Sequence, residues 1–406
     1  MLRLFAVEDR LISERAYRRG LNLFFAYVGV VTLLYGLATA RFYRSWTIAD
    51  WLINYQGGFI RRGLPGELAF HLGRLLHLSP VVFVVAAYLV CYAALLLCLR
   101  RLALGAKACW WCLALVLSPA TASFQVLDAT GGFRKEVLYL AALALFVVLL
   151  QKDRLSPRGI VILLATAMGT EALSHESLVC YVPYFFAALY LNGFTLKQSF
   201  RLFCVPWLLC LVLALVASRH LGTLATAKDI CGSLGYPLLA QGKQICSGGS
   251  IGYLAYSPEM ARARTWTYVR EDSYFLVYPL ATALAVLPLV LGSLALAARG
   301  WKREIRLLWT VAAISFGSSI VLFVYAEDWG RWIYIHVLSL AILLLFLKGR
   351  RPQELRFAEK PLLPKQKRLL RWSLAAYATL WSLPHVPSRT LPFGYLGLAH
   401  YFQHYL

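Results

Sequence analysis

Repeated apolar runs of close to 20 residues restrict what this sequence can fold into. A helix of that length matches the roughly 30 Å hydrocarbon core of a bilayer, where a chain must satisfy its backbone hydrogen bonds internally. The sequence therefore predicts an all-α, polytopic transmembrane helical bundle of about eleven spans. The predicted spans are 21–40, 79–99, 107–123, 136–150, 158–173, 178–192, 202–218, 274–298, 307–325, 332–348 and 372–386.

The composition also favours a membrane protein. Hydrophobic residues make up 60% of the chain and charged residues 15%, whereas soluble domains contain roughly 45–50% apolar residues. This composition argues against water-soluble domains. Residues 1–406 are therefore predicted to form a single integral membrane domain.

The basic residues predict an orientation. The formal net charge is +22, but Lys and Arg lie in short segments between apolar runs rather than on one basic face, which argues against nucleic-acid binding. Because the positive-inside rule places such segments in the cytoplasm, the N-terminus is predicted to be cytoplasmic. The basic segments are 100–107, 151–158, 192–201, 299–306 and 348–371.

The nine cysteines fall into two groups. Seven lie in apolar runs, where a small, buried, inert thiol is expected. They include Cys109 and Cys112, whose spacing is that of redox motifs but whose position inside a predicted span argues against redox chemistry. Cys231 and Cys246 lie in the long outer loop 219–273, and they are predicted to form a disulfide if that loop faces an oxidising compartment.

The first outer loop, 41–78, combines an aromatic segment with a glycine-rich basic turn. Residues 46–55 are predicted to form an amphipathic helix at the membrane interface. A Gly-Gly-Phe turn at 57–59 follows, whose glycines allow close approach of a ligand, and then two arginines, which bind phosphate bidentately. The alternative is a turn whose arginines contact lipid headgroups. The predicted phosphate ligands are Gln56, Arg61 and Arg62.

The second outer loop repeats this pattern. Asp128 precedes a Gly-Gly-Phe turn at 131–133, and Arg134, Lys135 and Glu136 follow directly. Two such turns on one side of the membrane favour an oxyanion site over headgroup contacts, because consecutive backbone N–H groups and basic side chains both bind anions. Arg134 and Lys135 are therefore predicted to bind phosphate, and Asp128 is a candidate catalytic acid or base.

A third cluster lies between the fifth and sixth predicted spans. Helical spacing places Glu171 and His175 one turn apart on one face, with Glu176 adjacent. Ionisable residues at the edge of a span are costly to desolvate, so they are candidate functional residues. A hydrogen bond between helices is an equally good explanation. Two ligands are too few for a metal site, so no cofactor is predicted, and a divalent metal stays an alternative.

A fourth cluster joins the ninth and tenth predicted spans. Glu327, Asp328 and Arg331 can supply a base, a sugar-hydroxyl acceptor and a phosphate contact. Trp329 and Trp332 beside them can stack on a sugar or lie in the aromatic belt. The belt explains the tryptophans but not the charges.

These clusters are all predicted to lie at the outer ends of the spans, where their cations and acids would converge. Such a site suits an anionic, lipid-linked substrate at the membrane surface. The substrate inferred is a sugar on a polyprenyl phosphate or pyrophosphate, with a glycan or lipid acceptor and a tail held among membrane lipids. The cations would stabilise the departing phosphate, and a carboxylate or imidazole would deprotonate the acceptor.

The acid at Asp50-x4-Tyr55, after the first span and before the Arg-bearing turn, resembles the first outer loop of GT-C membrane glycosyltransferases. That resemblance implies about eleven or more spans, a polyprenyl-phosphate donor and Asp50 as the catalytic base. The Arg-rich outer loops also resemble those of Wzy-type O-antigen polymerases and O-antigen ligases, which implies arginines holding a pyrophosphate without an obligatory metal. Both resemblances imply cell-envelope polysaccharide or glycolipid assembly in a bacterial cytoplasmic (inner) membrane.

The sequence also fits other catalytic bases and other classes of protein. Glu171, His175, Glu176 and Asp328 compete with Asp50 as the base. A transporter or flippase for a lipid-linked substrate is the competing class, although transporters place their polar sites near the bilayer midplane. A scaffold in an envelope-assembly complex is a third possibility.

Overall fold

A computed structural model of the chain describes residues 13–42, 44–106, 108–239, 244–350 and 363–387. Part of the predicted basic segment 348–371 lies outside these described residues. Within the described ranges the chain is helical and contains no β-strand, only an isolated bridge between Leu239 and Ser247. The prediction of an all-α chain is confirmed for this part of the protein.

The helices of eight or more residues that the structure describes are numbered here in chain order. They are α1 (Glu14–Phe42), α2 (Leu64–Leu76), α3 (Pro80–Gly105), α4 (Trp110–Leu117), α5 (Glu136–Gln151), α6 (Pro157–Ser174), α7 (Pro183–Leu191), α8 (Leu196–Arg219), α9 (Leu224–Ser233), α10 (Pro258–Glu271), α11 (Tyr274–Ala298), α12 (Lys302–Tyr325), α13 (Trp329–Arg350) and α14 (Pro364–Thr379).

Six of the described helices are long and apolar enough to cross a membrane. They are α1, α3, α8, α11, α12 and α13. Helix α5 and the segment Glu176–Leu191 are apolar but shorter. The chain is therefore a multi-pass membrane protein in which fewer helices meet the length requirement than the eleven spans predicted.

Two predicted spans differ most from the observed helices. The span predicted at 107–123 is helical only over α4, because the chain leaves the helix at Ser118 and continues through short turns to residue 135. The span predicted at 372–386 ends early, since α14 ends at Thr379. Residues 381–384 are then buried against other parts of the protein.

Local sequence explains where several helices begin. Ser79, Ser156 and Thr195 accept backbone N–H bonds at the starts of α3, α6 and α8, which satisfies donors that have no partner inside the helix. Proline follows at the first position of α3 and α6, where its fixed φ suits a helix start. These signals fix helix boundaries without tertiary contacts.

Helix α13 forms the centre of the bundle. In its apolar window 89% of the residues are buried, against 28% in α1, α8 and α12. The outer helices instead expose large apolar side chains such as Leu23, Val212 and Ile314. Because such exposure is favourable only next to lipid, α13 lies inside the protein and the less buried helices face the membrane.

The polar connections at one end of the bundle pack together, and we call this end the charged end. It consists of residues 44–63, 118–136, 171–177, 220–239, 244–273, 326–331 and 381–387. The opposite end includes the basic segments. There Arg350 donates to the carbonyl of Leu191 at 3.1 Å and to Asn192 Oδ1 at 2.7 Å.

The predicted interfacial helix at 46–55 is wrong. Residues 44–48 form one π-helical turn and 49–52 a short α-helical turn. Thr47, Asp50 and Trp51 are at most 2% exposed, and Trp51 Nε1 donates to the carbonyl of Phe133 at 3.2 Å. The aromatic spacing that is typical of an interface here belongs to a buried segment.

Helix α2 instead has the features of a surface helix beside lipid. Its residues Leu68, Leu72, Leu75 and Leu76 are 42–74% exposed. Such a row of exposed leucines is stable only against an apolar environment. The part of the 41–78 loop in contact with lipid is therefore α2.

Two disulfides are present among the described cysteines. Cys231 is bonded to Cys246, the pairing predicted from their place in the long loop, and both are buried. Cys109 is bonded to Cys112, where inert thiols were expected. That expectation is wrong because the helix begins later than predicted: Cys109 is the extended N-cap of α4, and its Sγ accepts the N–H of Cys112.

Candidate functional site

The first glycine-rich turn brings two predicted phosphate ligands onto a predicted catalytic acid. Arg62 Nη2 donates to Glu176 Oε1 at 2.8 Å and Arg62 Nε donates to Oε2 at 3.0 Å, while Arg61 Nη1 lies 3.4 Å from Oε1. Both arginine side chains keep more than a fifth of their exposure. They are therefore accessible cations held by one carboxylate.

The backbone of Arg62 is unusual. Its φ is +67°, a left-handed conformation that side chains other than glycine seldom adopt and that costs of order 1–3 kcal/mol. The carbonyl of Arg62 accepts a hydrogen bond from Lys135 Nζ at 2.7 Å. The left-handed backbone and the buried amine are thus linked, and Lys135 contributes to holding the first turn in place.

Asp50 and Lys135 are opposite charges in the protein interior, at 2% and 0% exposure. Burial raises the pKa of Asp50, but the cationic charges of Lys135 and then Arg134 outweigh it and lower the pKa to about 2. Burial also lowers the pKa of Lys135 to about 8, against the attraction of Asp50. A carboxylate with so low a pKa is a weak proton acceptor at neutral pH.

Arg134 connects three segments of the charged end. Its Nη1 donates to the carbonyl of Trp46 at 2.8 Å and to Ser250 Oγ at 3.2 Å, and its Nε donates to the carbonyl of Thr130 at 3.2 Å. The side chain is 5% exposed. Although Arg134 was predicted to bind phosphate, its observed hydrogen bonds are to the protein itself.

Arg331 joins two acids across the bundle. Its Nη1 lies 2.6 Å from Asp328 Oδ2, and its Nη2 is hydrogen-bonded to Glu136. His175 Nε2 lies 4.0 Å from the same Glu136, and His175 Nδ1 lies 2.6 Å from Ser177 Oγ. The predicted residues Asp328, Arg331 and His175 therefore do converge, around a glutamate that was not predicted to be part of the site.

Glu171 is separate from this network. Helix α6 ends at Ser174 and His175 is extended, with φ −161°, so the predicted helical face with Glu171 and His175 one turn apart does not form. Glu171 is 1% exposed, and both its carboxylate oxygens lack a hydrogen-bond partner among the described residues. Nothing in the observed contacts links Glu171 to the arginines.

Asp128 pairs with a residue that the sequence analysis missed. His385 donates its backbone N–H to Asp128 Oδ2 at 2.7 Å, and its Nδ1 lies 2.7 Å from the same oxygen. The other carboxylate oxygen accepts the N–H of Gly131 at 2.8 Å. The two partners are 257 residues apart, and His385 lies in a Pro-His pair at the end of the span predicted at 372–386.

Glu327 is held by Arg264, which also was not predicted. Arg264 Nε lies 3.3 Å from Glu327 Oε2, and its guanidinium lies 5.3–5.8 Å from the ring centres of Trp46, Tyr253 and Tyr268. Helix α10 of the long loop carries this arginine across the charged end. Burial and the neighbouring Asp328 raise the pKa of Glu327.

Gln56 has a local role in the first loop. Its Nε2 donates to Glu67 Oε1 at 2.9 Å, and Glu67 Oε2 accepts the backbone N–H of Tyr55 at 2.8 Å. Gly63 between them has no room for a side chain, because a Cβ there would lie 2.1 Å from the Tyr55 ring. Glu67 thus closes the turn that presents Arg61 and Arg62.

An apolar cavity of about 230 Å³ adjoins the charged residues. Trp51 and Ser174, which directly follow Asp50 and precede His175, form part of its wall. Leu68 and Leu72 of α2 also line it and are 56% and 42% exposed. The cavity therefore extends from the charged end to the lipid-facing leucines. Its lining residues are Trp51, Leu64, Pro65, Leu68, Ala69, Leu72, Phe83, Val84, Ala87, Leu138, Thr170 and Ser174.

No cluster of three or more His, Cys, Asp or Glu side chains suited to a metal ion occurs within the described ranges. Four acids of the charged end lie in ion pairs with arginine, namely Glu136, Glu176, Glu327 and Asp328, and Asp128 is paired with His385.

Comparison of the chain with protein-family models, with curated proteins and with solved structures found no match. The function must therefore be argued from the site.

Proposed function

We propose that this protein is a membrane glycosyltransferase that uses a sugar linked to a polyprenyl phosphate or pyrophosphate. The observation that carries the proposal is an apolar cavity whose wall includes Trp51 and Ser174, the chain neighbours of Asp50 and His175, and also the exposed leucines Leu68 and Leu72 of α2. A lipid-linked glycosyl phosphate likewise has a charged part and an apolar part, because its anionic phosphate is joined directly to a hydrocarbon tail. Few soluble ligands need both surfaces side by side.

Arg61 and Arg62 are the proposed phosphate ligands. They are the most accessible cations of the two glycine-rich turns, and Arg62 already binds a carboxylate with two parallel hydrogen bonds. A phosphate presents a similar pair of oxygens. The donor phosphate would share or replace Glu176 at this position, and the guanidinium charge would stabilise it as it leaves.

The proposed topology has eleven passes with the N-terminus in the cytoplasm. Chain direction supports it: apart from α2, α9 and α10, the helices run alternately away from and towards the charged end, so the described residues of the basic segments fall at the other end. By the positive-inside rule the basic end is cytoplasmic. The proposed site then faces the outer side of a bacterial cytoplasmic membrane, where lipid-linked sugars could serve cell-envelope polysaccharide or glycolipid assembly.

A transporter of lipid-linked substrates is the second candidate, and Glu171 favours it. A buried carboxylate without a hydrogen-bond partner among the described residues is the kind of group that binds protons in transporters. The ionised pairs, however, lie at one end of the bundle. The histidine within α13, His336, is hydrogen-bonded on both nitrogens, to Tyr184 at 2.9 Å and Ser319 at 3.0 Å.

The test is an assay of the purified full-length chain in lipid nanodiscs. Synthetic polyprenyl phosphates and pyrophosphates carrying a radiolabelled hexose are supplied with a panel of glycan and lipid alcohols as acceptors. We expect release of the polyprenyl phosphate together with a labelled glycoside. The same donors in sealed proteoliposomes test the alternative: translocation without any cleavage of the sugar–phosphate bond would establish a transporter and overturn the proposal.

A further inference from the structure

The segment that follows α14 is inserted into the charged end. Gly330 donates its N–H to the carbonyl of His385 at 3.3 Å, and Tyr278 donates its hydroxyl to the same carbonyl at 2.7 Å. Gly131 has no space for a side chain, because a Cβ there would lie 2.5 Å from His385 Cβ. The position of His385 is therefore fixed by three separate parts of the chain.

The His385 side chain is oriented by Asp128. Its Nδ1 lies 2.7 Å from Asp128 Oδ2, and that carboxylate is held in turn by backbone N–H groups of Gly131 and His385. Since an ionised carboxylate can only accept, Nδ1 carries the hydrogen and the neutral ring has its lone pair on Nε2. The imidazole keeps 21% of its exposure, and Nε2 has no hydrogen-bond partner in the described ranges.

The surroundings of His385 make it a better proton acceptor than Asp50. Burial lowers its pKa, but the negative charges of Asp128 and then Asp328 outweigh burial and the opposing charge of Arg134, so the net shift is upward. Glu327 also faces this histidine. Asp50 is 2% exposed and strongly ionised, whereas a general base acts best when its pKa lies near the working pH.

We propose that His385 is the general base of this site and that Asp128 is its positioning residue. The inference rests on the proposed function. In the transfer step the acceptor oxygen forms a bond to the anomeric carbon of the donor sugar as the bond from that carbon to the phosphate oxygen breaks. The hydroxyl proton passes to Nε2 of His385, and the electron pair of the broken bond leaves on the phosphate facing Arg61 and Arg62.

The first test replaces His385 by glutamine, whose amide still donates a hydrogen bond to Asp128 but cannot take up a proton. General-base catalysis contributes about 10²–10⁴-fold, so H385Q should lose transfer by that factor in the nanodisc assay. The wild-type kcat/KM should rise with pH through the raised pKa of His385. The residual rate of H385Q should lack this rise.

Asp128→Asn supplies the second variant. An amide can donate to Nδ1, which shifts the hydrogen to Nε2 and removes the lone pair that accepts the proton. D128N should therefore lose activity in the same range when assayed below its unfolding temperature, which should fall because one backbone N–H, of Gly131 or His385, loses its acceptor. H77Q is the matched control, because His77 is an exposed histidine directly after α2 and outside the charged end, and it should keep full activity.

The outcomes separate the two proposals. If the wild type transfers sugar and H385Q transfers it equally fast with the same pH dependence, His385 is not the base and the glycosyltransferase function stands. If D50N is then inactive, the base is Asp50. If the wild type cleaves no sugar–phosphate bond in any donor, both the function and the role of His385 are overturned.

Discussion

The two Gly-Gly-Phe turns share a sequence pattern but lie at different depths in the protein. In the first turn Phe59 is 44% exposed, and in the second Phe133 is fully buried. The basic pairs differ in the same way, since Arg61 and Arg62 keep 21% and 27% of their side-chain exposure while Lys135 keeps none. One turn presents its cations to the surface, and the other uses them inside the protein.

The elements next to each turn explain the difference. The first turn leads into α2 at the surface, and Phe59 packs beside His220 with ring centres 4.9 Å apart. The second leads into α5 within the bundle, and Phe133 packs against Tyr88 and Tyr92 of α3 at 5.2 and 5.3 Å. The glycine-rich pattern thus predicts a turn, while the helix that follows decides whether its cations can reach a ligand.

The largest expected effect is the loss of stability on removal of the Lys135 amine. Lys135→Met leaves Asp50 and the Arg62 carbonyl without their cationic partner in a buried site. Loss of a charge that compensates a buried opposite charge costs about 3–5 kcal/mol, so K135M should unfold far more easily in a denaturation series on the detergent-solubilised protein.

The double variant D50N/K135M is the control for this prediction. It removes both charges and should be less destabilised than K135M alone, because no uncompensated carboxylate remains. If K135M unfolds like the wild type, the buried amine of Lys135 does not stabilise the fold, and this prediction is wrong.

Arginine substitutions should separate the two turns by function. Arg62→Ala should abolish sugar transfer but lower stability by only about 0–1 kcal/mol, as for a partly exposed ion pair. Arg62→Lys should restore part of the activity, since lysine lacks the bidentate geometry.

Arg134→Ala should behave differently and destabilise the fold. The sequence pattern predicted the same phosphate-binding role for Arg62 and Arg134. The observed hydrogen bonds of Arg134 to Thr130, Trp46 and Ser250 change that expectation, because truncation removes buried hydrogen bonds of a charged donor, which contribute about 1.5–3 kcal/mol. Equal stability of R62A and R134A would remove the distinction between the turns.

Glycine substitution tests how closely the second turn packs. Gly131→Ala places a Cβ 2.5 Å from His385 Cβ, so it should cost about 1–3 kcal/mol as an overpacked core does and should displace His385. Gly232→Ala is the control, since a Cβ at that position meets nothing within 4 Å. Thermal unfolding of the two variants should differ clearly, and equal melting would mean that residues 381–387 adapt freely.

The smallest expected effect is a change of the free energy of unfolding with pH, which arises from Lys135 in the second turn. The pKa of Lys135 is lowered to about 8, below the roughly 10.4 of an unfolded chain. Between these values the unfolded state binds more protons, so the free energy of unfolding should rise with pH. Arg61 and Arg62 stay protonated throughout. Denaturation at pH 7.5–9.5 should show the rise in wild type and not in D50N/K135M; an unchanged slope in the variant contradicts it.

The amino-acid sequence is enough to identify a multi-pass membrane protein and to predict that the candidate site residues lie at one end of its helices. Apolar length and local caps depend on neighbouring residues, so helices such as α11, predicted at 274–298 and observed as Tyr274–Ala298, could be predicted closely. The alternation of basic and mixed-charge connections likewise placed Asp50, Asp128, Glu176 and Asp328 at one end. These features are local, and no tertiary contact is needed to infer them.

The hydrogen-bond partners of the charged residues, and whether those residues are buried or exposed, depend on how the helices pack in three dimensions. The Arg62–Glu176, Arg331–Glu136 and His385–Asp128 pairs join residues 114, 195 and 257 positions apart, and sequence patterns carry no information over such separations. Depth is also non-local, because a basic residue after Gly-Gly-Phe is exposed or buried according to the helices that pack over it. Two turns with nearly the same sequence therefore became a partly exposed arginine pair and a buried Arg-Lys pair.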